Sequence, residues 1–262
     1  MTSHASNYDR FSQYVQQFHG ADFLDNAVKL ASGDRVLDFG CGTGNWLIDL
    51  ARRVGSSGFV VGVDPDEDRI AIAKSRINDH AHANIQVHRG SIDETAKFAP
   101  YDVVIANHVI HWIPREEQEK ILKGIYGQLK PGGKFGFTTA RVLMGYVRDV
   151  SAIQYKNSYD DFLTAVGWAL RPLSDWEKLL KNAGFEIVHG IEEERGFLLP
   201  NYEAFLKWWE ATCLGCFSAA HVIEDRVGDY ERLLKKYGWK KDEPINPSAI
   251  LIEVIARKPK GD

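Results

Sequence analysis

Three glycines at alternate positions follow a short apolar run and constrain the fold more than any other feature of the chain. The run, Arg35–Phe39, has one acid among apolar residues, a pattern typical of a strand buried in a parallel sheet. Gly40, Gly42 and Gly44 come next, and an apolar-periodic helix is predicted over Trp46–Val54. Glycine permits left-handed backbone angles and close approach to a ligand, and the start of a helix attracts anions. The stretch therefore indicates a site for a nucleotide-type cofactor.

The next predicted strand, Phe59–Val63, is rich in β-branched residues and ends at Asp64. An acid at the end of the second strand is placed to accept hydrogen bonds from both hydroxyls of a ribose. The alternative is that Asp64, which precedes Pro65, caps the helix that begins near Asp66. We favour ribose binding because the glycine loop lies one unit upstream, and we include Pro65 among the predicted cofactor-binding residues.

Composition narrows the classes of partner. The chain has 262 residues, 44% of them hydrophobic and 26% charged, with a net charge of −4, which is ordinary for a globular enzyme. No basic tract stands out, so we expect a small-molecule substrate and no nucleic acid. No apolar run reaches about 18 residues and the first ten residues lack the apolar centre of a signal peptide, so we expect no membrane span and a cytoplasmic protein.

Three cysteines are too few for a disulfide scaffold. Cys41 lies in the glycine loop, whereas Cys213 and Cys216 form a C-x-x-C on a predicted helix. A tetrahedral zinc site needs four ligands, and no second pair lies nearby. We expect buried thiols and no metal.

Strand and helix alternate from Asp34 to Ala140, which predicts right-handed βαβ units and a parallel sheet. Before it, residues 7–27 have helical periodicity, and we expect Gly20 and Asp22 to break that helix in two. Further elements are predicted as strands at 85–88, 101–106 and 134–139, helices at 67–78 and 115–128, and a turn at 130–133.

After the fifth strand the pattern changes to helical inserts rich in aromatic residues. A helix at 176–182 and strands at 185–193 and 249–257 complete the predicted set. We expect one domain over 1–262, with lid helices at 1–33, a cofactor-binding core at 34–140, and inserts over the substrate site at 141–173 and 197–245.

The loop spacing Gly-x-Gly-x-Gly differs from the dinucleotide spacing Gly-x-Gly-x-x-Gly. With Asp38 just before the loop, it resembles motif I of the class I S-adenosylmethionine-dependent methyltransferases. That resemblance continues through Leu129–Gly133 and covers most of the chain. It implies a Rossmann-like, doubly wound α/β fold: a seven-stranded, mostly parallel sheet with the last strand antiparallel and helical inserts forming a lid.

The resemblance also implies roles for residues of the cofactor site. Gly40, Gly42 and Gly44 would let the backbone contact the methionine part of S-adenosylmethionine, and Asp38 would hold its ammonium group. The alternative for Asp38 is a buried acid bonded to loop N–H groups.

The adenine site departs from the family pattern, because Gly90-Ser91 stands where the family has Gly-Asp. Ser91 or Asp93 is expected to bond the adenine amine, with Asp93 slightly favoured, and Ile92 to cover the ring face. After the fourth strand, Asn107 is expected to contact the methionine part.

Two histidines and a tryptophan follow Asn107. His108 and His111 are candidate general bases, and the alternative is that they belong to a packed turn. Trp112, an early Gln and a later aromatic segment resemble the small-acid carboxyl methyltransferases, a group that includes the juvenile hormone acid and trans-aconitate enzymes. By that resemblance Gln17 and Trp112 would donate hydrogen bonds to a substrate carboxylate. The remaining substrate-site candidates are Tyr14 and Trp208.

Three functions stay open from the sequence. The favoured one is methyl transfer to a small, largely apolar acid, with N- or O-methylation of an amine or phenol by a histidine base as the alternative. The second is a catalytically idle cofactor-binding protein with the same fold. The third, an NAD-dependent oxidoreductase, conflicts with the spacing of the glycine loop.

Overall fold

A seven-stranded sheet with the strand order β3-β2-β1-β4-β5-β7-β6 organises the computed structural model of the chain. The structure describes residues 4–12, 16–79, 84–143, 145–156, 158–213 and 215–261. Its strands are β1 Arg35–Phe39, β2 Phe59–Asp64, β3 Ile85–Arg89, β4 Tyr101–Asn107, β5 Leu129–Leu143, β6 Glu186–Gly196 and β7 Ser248–Arg257.

Most helices lie between these strands in the chain, as the alternating pattern predicts. Those before the end of β5 are α1 His4–Phe11, α2 Gln16–Phe23, α3 Leu47–Val54, α4 Glu67–Asp79, α5 Ile92–Thr95 and α6 Arg115–Gln128. The later ones are α7 Gly145–Ile153, α8 Tyr159–Val166, α9 Leu173–Asn182, α10 Tyr202–Thr212 and α11 Val227–Tyr237. Short π-type turns lie at Leu24–Val28 and His221–Asp225, and 3₁₀ turns at Ala96–Phe98 and Ile110–Trp112.

The strands β1 to β5 are paired in parallel, so their carboxyl ends lie at the same edge of the sheet. Asp38 of β1 is in register with Gly62 of β2 and with Ile105 of β4. The sheet is mixed, with one antiparallel strand, which confirms the predicted fold class. The glycine loop, the end of β2 and the end of β4 therefore meet at one edge.

Successive side chains of the central strands bury against opposite layers of helices, as the pleat requires. One face packs on α5, α6 and α9 through a core that includes Leu37, Val61, Val104, Leu122, Ile125 and Trp176. The other face packs on α3 and α4 through Val36, Val60, Ile105, Leu47, Leu50, Ile70 and Ala73. These two cores fix the positions of the strand ends.

The chain divides into two compact units. The larger one takes residues 16–139, 171–192 and 252–262, and contains the sheet core just described. The smaller one takes the described residues before position 13 together with 140–170 and 193–251. The expected single domain with lid helices and inserts stays a prediction.

The smaller unit is held by aromatic side chains. One face of helix α10 is buried through Tyr202, Phe205 and Trp209, and Cys213, which follows the helix, is buried as well. Tyr146 of α7 packs edge-on against Tyr202 and Phe205, with ring centroids 5.6 and 5.3 Å apart. Among the described residues, no helix is long and apolar enough to span a membrane.

The prediction that Gly20 and Asp22 break the first helix is wrong. Helix α2, Gln16–Phe23, runs through both positions. Gly20 instead lies against the indole of Trp46, so close that an added Cβ would stand 1.5 Å from a ring carbon. The glycine permits contact between a helix and a ring rather than ending the helix.

The segment 130–133 was predicted to be a turn, but the structure assigns it to β5, which begins at Leu129. The N–H of Gly132 donates to the carbonyl of Lys258 at 2.9 Å, and the N–H of Lys258 donates to the carbonyl of Gly133 at 2.9 Å. Pairing with a distant segment of the chain, which local spacing does not reveal, therefore extends the strand. Within this segment Gly132 has a φ of 81°, in the left-handed region.

The contact between Gly20 and Trp46 predicts that a larger residue at position 20 destabilises the protein. Gly20→Ala should lower the free energy of unfolding by about 1–3 kcal/mol, because the new methyl group overpacks the indole. Gly127→Ala, on α6 with nothing within 4 Å of the added Cβ, should raise it by about 0.5–1 kcal/mol. Urea unfolding of both variants checks the pair. Equal stabilisation by the two alanines would show that the indole moves aside at no cost.

Candidate functional site

The glycine loop turns tightly over the end of β2. The N–H groups of Gly40 and Cys41 both donate to the carbonyl of Val63, at 2.8 and 3.0 Å. The N–H of Gly44 donates to the carbonyl of Cys41 at 3.0 Å and closes the turn. These bonds fix the loop between the first two strands before helix α3 begins.

Glycine is required in the loop on two grounds. Gly40, Gly42 and Gly44 have φ values of 78°, 56° and 76°, a region that other residues rarely occupy. A Cβ on Gly40 would stand 2.3 Å from a methyl carbon of Val109, so the loop also lies directly against the segment that follows β4. The loop and that segment form one continuous surface.

Asp64 ends β2 with its carboxylate turned to the backbone. One oxygen accepts from the N–H of Gly42 at 3.0 Å, and the other accepts from the N–H of Asp66 at 2.9 Å. Burial raises the pKa of this carboxyl group, and the two N–H bonds oppose that shift. The alternative role for Asp64, capping helix α4, is filled by Asp66, whose carboxylate accepts from the N–H of Arg69 at 2.9 Å. Each oxygen of Asp64 keeps a second lone pair. Ribose binding by Asp64 stays a prediction.

Asp38 is 3% exposed at the end of β1. Burial first, and the charge of Asp64 second, raise the pKa of Asp38 to about 7. The alternative role considered for Asp38 is to accept a hydrogen bond from an N–H group of the loop. The N–H of Gly42 donates to Asp64 instead. Two acids thus lie buried beside one glycine loop, and the charge of Asp64 disfavours the ionised form of Asp38.

This arrangement fits a cationic ligand. Two buried carboxylates that repel each other gain stability from a positive charge placed between loop and strand ends. S-adenosylmethionine carries an ammonium and a sulfonium group, and an ionised Asp38 would attract the ammonium group while Asp64 would accept from the ribose hydroxyls. The fit rests on the charges and burial of Asp38 and Asp64.

The end of β4 is tied to β5. The hydroxyl of Thr138 donates to the side-chain oxygen of Asn107 at 2.5 Å, and the N–H of His108 donates to the carbonyl of Thr138 at 3.0 Å. His108 has a φ of 55°, a left-handed backbone that reverses the chain directly after the strand. The residue as a whole is half-buried, and its ring nitrogen Nε2 is buried.

His111 lies one turn further and is 4% exposed. Its Nδ1 is 2.9 Å from the hydroxyl oxygen of Thr139. Burial lowers the pKa of His111 to about 3, so its imidazole is neutral at physiological pH. The ring of half-buried Trp112 lies beside it, with centroids 5.7 Å apart, and the ring of His108 is at 6.4 Å.

The segment expected to hold adenine forms the start of α5. Ser91 caps this helix: its side chain accepts from the backbone of Glu94, and the Glu94 carboxylate accepts from the N–H of Ser91 at 2.6 Å. Ile92 is 3% exposed in the core, whereas Asp93 is exposed. The roles of Ser91, Ile92 and Asp93 toward adenine stay predictions.

The remaining predicted residues are dispersed. Pro65 is exposed, and its carbonyl accepts from the guanidinium of Arg89 at 3.2 Å. Gln17 lies on helix α2, one turn before Gly20, and its side chain is outside what the structure describes, as is the whole of Tyr14. Trp208 is 4% exposed and packs on Phe197, with centroids 5.9 Å apart.

The cysteines differ in exposure. Cys41 and Cys213 are buried, and burial raises the pKa of both thiols, whereas Cys216 is half-buried. Across the described part of the chain, no cluster of three or more His, Cys, Asp or Glu residues could hold a metal ion.

Sequence reasoning missed two polar groups that support this site. Thr138 and Thr139 are buried within β5, beside the end of β4, and bond Asn107 and the segment after it. Gln118 is fully buried on α6, where Ile121, Leu122 and Ile125 form the apolar face. A polar residue on an apolar helix face is the signal that would have identified it.

The strand order, the glycine loop and the acids at the ends of β1 and β2 define the class I S-adenosylmethionine-dependent methyltransferase fold. Residues 9–190 match a family model described as a methyltransferase domain. This chain therefore belongs to the methyltransferase-domain family, and the cofactor of the class is S-adenosylmethionine.

Relatives and structural neighbours have different named acceptors. The chain is 35% identical over 176 residues to an arsenite methyltransferase of Aquipseudomonas alcaligenes, covering 64% of this chain and 49% of the relative. It is 27% identical over 217 residues to a demethylmenaquinone methyltransferase of Lactococcus lactis, covering 76% and 85%. The chain thus spans about half the length of the arsenite relative but most of the demethylmenaquinone one.

A solved structure has the same fold at low identity. Phosphoethanolamine N-methyltransferase 2 of Haemonchus contortus, in complex with S-adenosyl-L-methionine, is 20% identical with a TM-score of 0.58. The similarity covers 99% of this chain and 60% of that one.

The raised pKa of Asp38 predicts how cofactor binding responds to pH. Affinity for S-adenosylhomocysteine should rise by about 3- to 10-fold between about pH 6 and about pH 8, because only the ionised carboxylate attracts the ligand's ammonium group. Binding below about pH 7 should release a proton, seen as an enthalpy that depends on the ionisation heat of the buffer. Isothermal titration calorimetry measures both quantities.

Two variants serve as controls for this prediction. Asp38→Asn should bind more weakly and without the pH dependence, while Asp68→Asn, which changes an exposed acid on α4, should behave as wild type. A wild-type affinity that falls as the pH rises would contradict the assignment of the charge to Asp38.

Proposed function

We propose that this chain transfers the methyl group of S-adenosylmethionine to a small, largely apolar acceptor, and that the acceptor is a carboxylate bound by Gln17 and Trp112. The main support is that both segments flank the glycine loop. Val109, three residues before Trp112, packs on Gly40, and Gly20, three residues after Gln17, packs on Trp46. Trp46 follows the last loop glycine by two positions.

A carboxylate acceptor suits the chemistry of the segment after β4. The cofactor supplies an electrophilic methyl group on a sulfonium centre. A carboxylate is already ionised at physiological pH and needs no base, so the protein contributes alignment and exclusion of water. His111, whose pKa is about 3, is a weak base and is suited to packing and orientation.

We further propose that the cofactor is held by the groups gathered at the sheet edge. The backbone at Gly40, Gly42 and Gly44 takes the methionine part, with Asp38 on its ammonium group. The Asp64 carboxylate takes the ribose hydroxyls through its remaining lone pairs. Asn107 adds a contact to the methionine part, and Ser91 or Asp93 takes the adenine amine.

A second candidate is O- or N-methylation of a phenol or amine, with His108 as the base. Two observations favour it: the relative named for demethylmenaquinone is covered over 85% of its length, and His108 is half-buried, more open than His111. An acceptor of this kind needs a proton removed or a neutral amine, and a half-buried histidine is suited to that task.

An acceptor panel distinguishes the two candidates. With saturating methyl-labelled cofactor, decanoate should be methylated, whereas decanol, decylamine and a hexyl-substituted phenol should not. Trp112→Phe should lower kcat/KM for the acid about 10- to 150-fold, because it removes one N–H donor to a charged group while keeping most of the ring. Trp239→Phe, at another half-buried tryptophan, should leave the rate unchanged.

The pH profile gives an independent result in the same assay. For a carboxylate acceptor, kcat should be flat from about pH 6 to about pH 8 in wild type and in His111→Ala. A rate that rises through a pKa near 6–7, and loses that step in His108→Ala but not in His189→Ala, would overturn the carboxylate assignment in favour of a histidine base.

A further inference from the structure

Two buried glutamines lie on the same helix, α6, and both bond turns that follow strands of the sheet. Gln118 is 0% exposed and Gln128 is 9% exposed. A buried primary amide has two donors and an acceptor to satisfy, so its partners are fixed rather than exchangeable with water. Those partners lie at the carboxyl ends of β4 and β3.

Gln118 holds both ends of the turn that carries His111 and Trp112. Its side-chain nitrogen Nε2 donates to the carbonyl of Ile113 at 3.1 Å and, in a longer bond, to the carbonyl of Ile110 at 3.4 Å. The only residues between these two carbonyls in sequence are His111 and Trp112. One amide thus fixes the backbone on either side of the two side chains.

Arg171 fixes the amide itself. Its Nε donates to Oε1 of Gln118 at 2.6 Å, a short charge-assisted bond that determines which end of the amide faces the turn. With the oxygen bound to a guanidinium, the nitrogen must face the carbonyls. The same guanidinium lies over the Trp176 ring at 5.9 Å, which restricts its own position.

Gln128 makes the equivalent arrangement ten residues further along the helix. Its Nε2 donates to the carbonyl of Ile92 at 2.7 Å, and its Oε1 accepts from the hydroxyl of Thr95 at 2.9 Å. This amide holds helix α5, which follows β3. The two glutamines are therefore matched in chemistry, burial and helix, and differ in the turn they hold.

We infer that Gln118, oriented by Arg171, is a positioning residue that sets the placement of Trp112 and His111 for the acceptor. The inference rests on the proposed function for the role of Trp112, but the placement of the turn is a property of the free protein. Without the amide, the carbonyl of Ile113 loses its side-chain donor and the carbonyl of Ile110 keeps only the long bond from the N–H of Ile113. The turn then keeps its bond to Thr139 on one side but loses its support from α6 on the other. Helix α6 would then support the acceptor side through Gln118 and the α5 side through Gln128.

Three substitutions separate the parts of this network. Gln118→Glu keeps an oxygen for Arg171 but removes the donor to the turn, whereas Gln118→Met removes both at similar volume. Arg171→Met removes the orienting bond and the guanidinium over the Trp176 ring but keeps the Gln118 amide. It lies at a half-buried position, so it tests the network even where the Gln118 variants fail to fold. Gln128→Met is the control, because it deletes the same kind of buried amide from the same helix.

Hydrogen–deuterium exchange of the free protein is the primary measurement. Exchange of residues 109–113 should rise about 10-fold or more in both Gln118 variants and about 3-fold in Arg171→Met, as the turn loses support. Exchange of residues 91–95 should stay as in wild type in all three and should rise only in Gln128→Met. Unchanged exchange at 109–113 in Gln118→Met, or in Arg171→Met where the Gln118 variants do not fold, would overturn the inference.

Turnover and binding then test the consequence for the reaction. With decanoate and saturating cofactor, Gln118→Glu should lower kcat about 10-fold or more while affinity for S-adenosylhomocysteine stays within about 3-fold of wild type. Gln128→Met should not combine a lowered kcat with an unchanged affinity for S-adenosylhomocysteine. Faster exchange at 109–113 without turnover of any acid in wild type would support the positioning inference and refute the carboxylate acceptor, whereas equal loss of cofactor affinity in both glutamine variants would contradict a separate role for Gln118.

Discussion

The burial of two carboxylates at one edge of the sheet is the constraint on which the account of this site depends. Asp38 and Asp64 end adjacent strands, and the glycine loop passes between them with its Gly42 amide bonded to Asp64. Burial with a like charge nearby raises the pKa of Asp38 to about 7, so the free protein holds this edge of the sheet partly protonated. A ligand that brings positive charge would stabilise the ionised form of Asp38, and we propose that Asp64 binds the ribose beside it. The tight glycine turn places backbone N–H groups, without side chains, beside the Asp64 carboxylate.

In the larger unit, hydrogen bonds to β5 and α6 hold the segments that follow β4 and β3. The segment after β4 is bonded to Thr138 and Thr139 of β5 on one side and to Gln118 of α6 on the other. The α5 segment after β3 is bonded to Gln128 of the same helix. Helix α6 is itself anchored by Leu122 and Ile125 in the sheet core. The groups expected to meet cofactor and acceptor are thus held by buried polar bonds on a packed apolar layer.

Local pattern predicted the parts of this structure that local physics determines. Strand β1 and helix α6 have the predicted bounds. The strand is a short apolar run that ends at Gly40, and the helix has apolar residues at helical spacing and begins after Pro114. Gly20 was misread because its role depends on Trp46, which follows 26 residues later, and the segment at Gly132 because its pairing partner is Lys258. The loop and Asp64 were predicted as one site from spacing alone. The roles of Gln118 and Thr139 were not predicted. A buried hydrogen bond between elements that are distant in sequence is visible in the sequence only as a polar residue among apolar ones.

The most direct test of the account is a calorimetric comparison of S-adenosylmethionine and NADH as ligands of the wild type and of Asp64→Ala. The account predicts that S-adenosylmethionine binds, that NADH does not, and that Asp64→Ala loses about 1.5–3 kcal/mol of binding free energy, the cost of charge-assisted bonds to two hydroxyls. Binding of NADH without binding of S-adenosylmethionine, or an undiminished affinity of Asp64→Ala for S-adenosylmethionine, would contradict it.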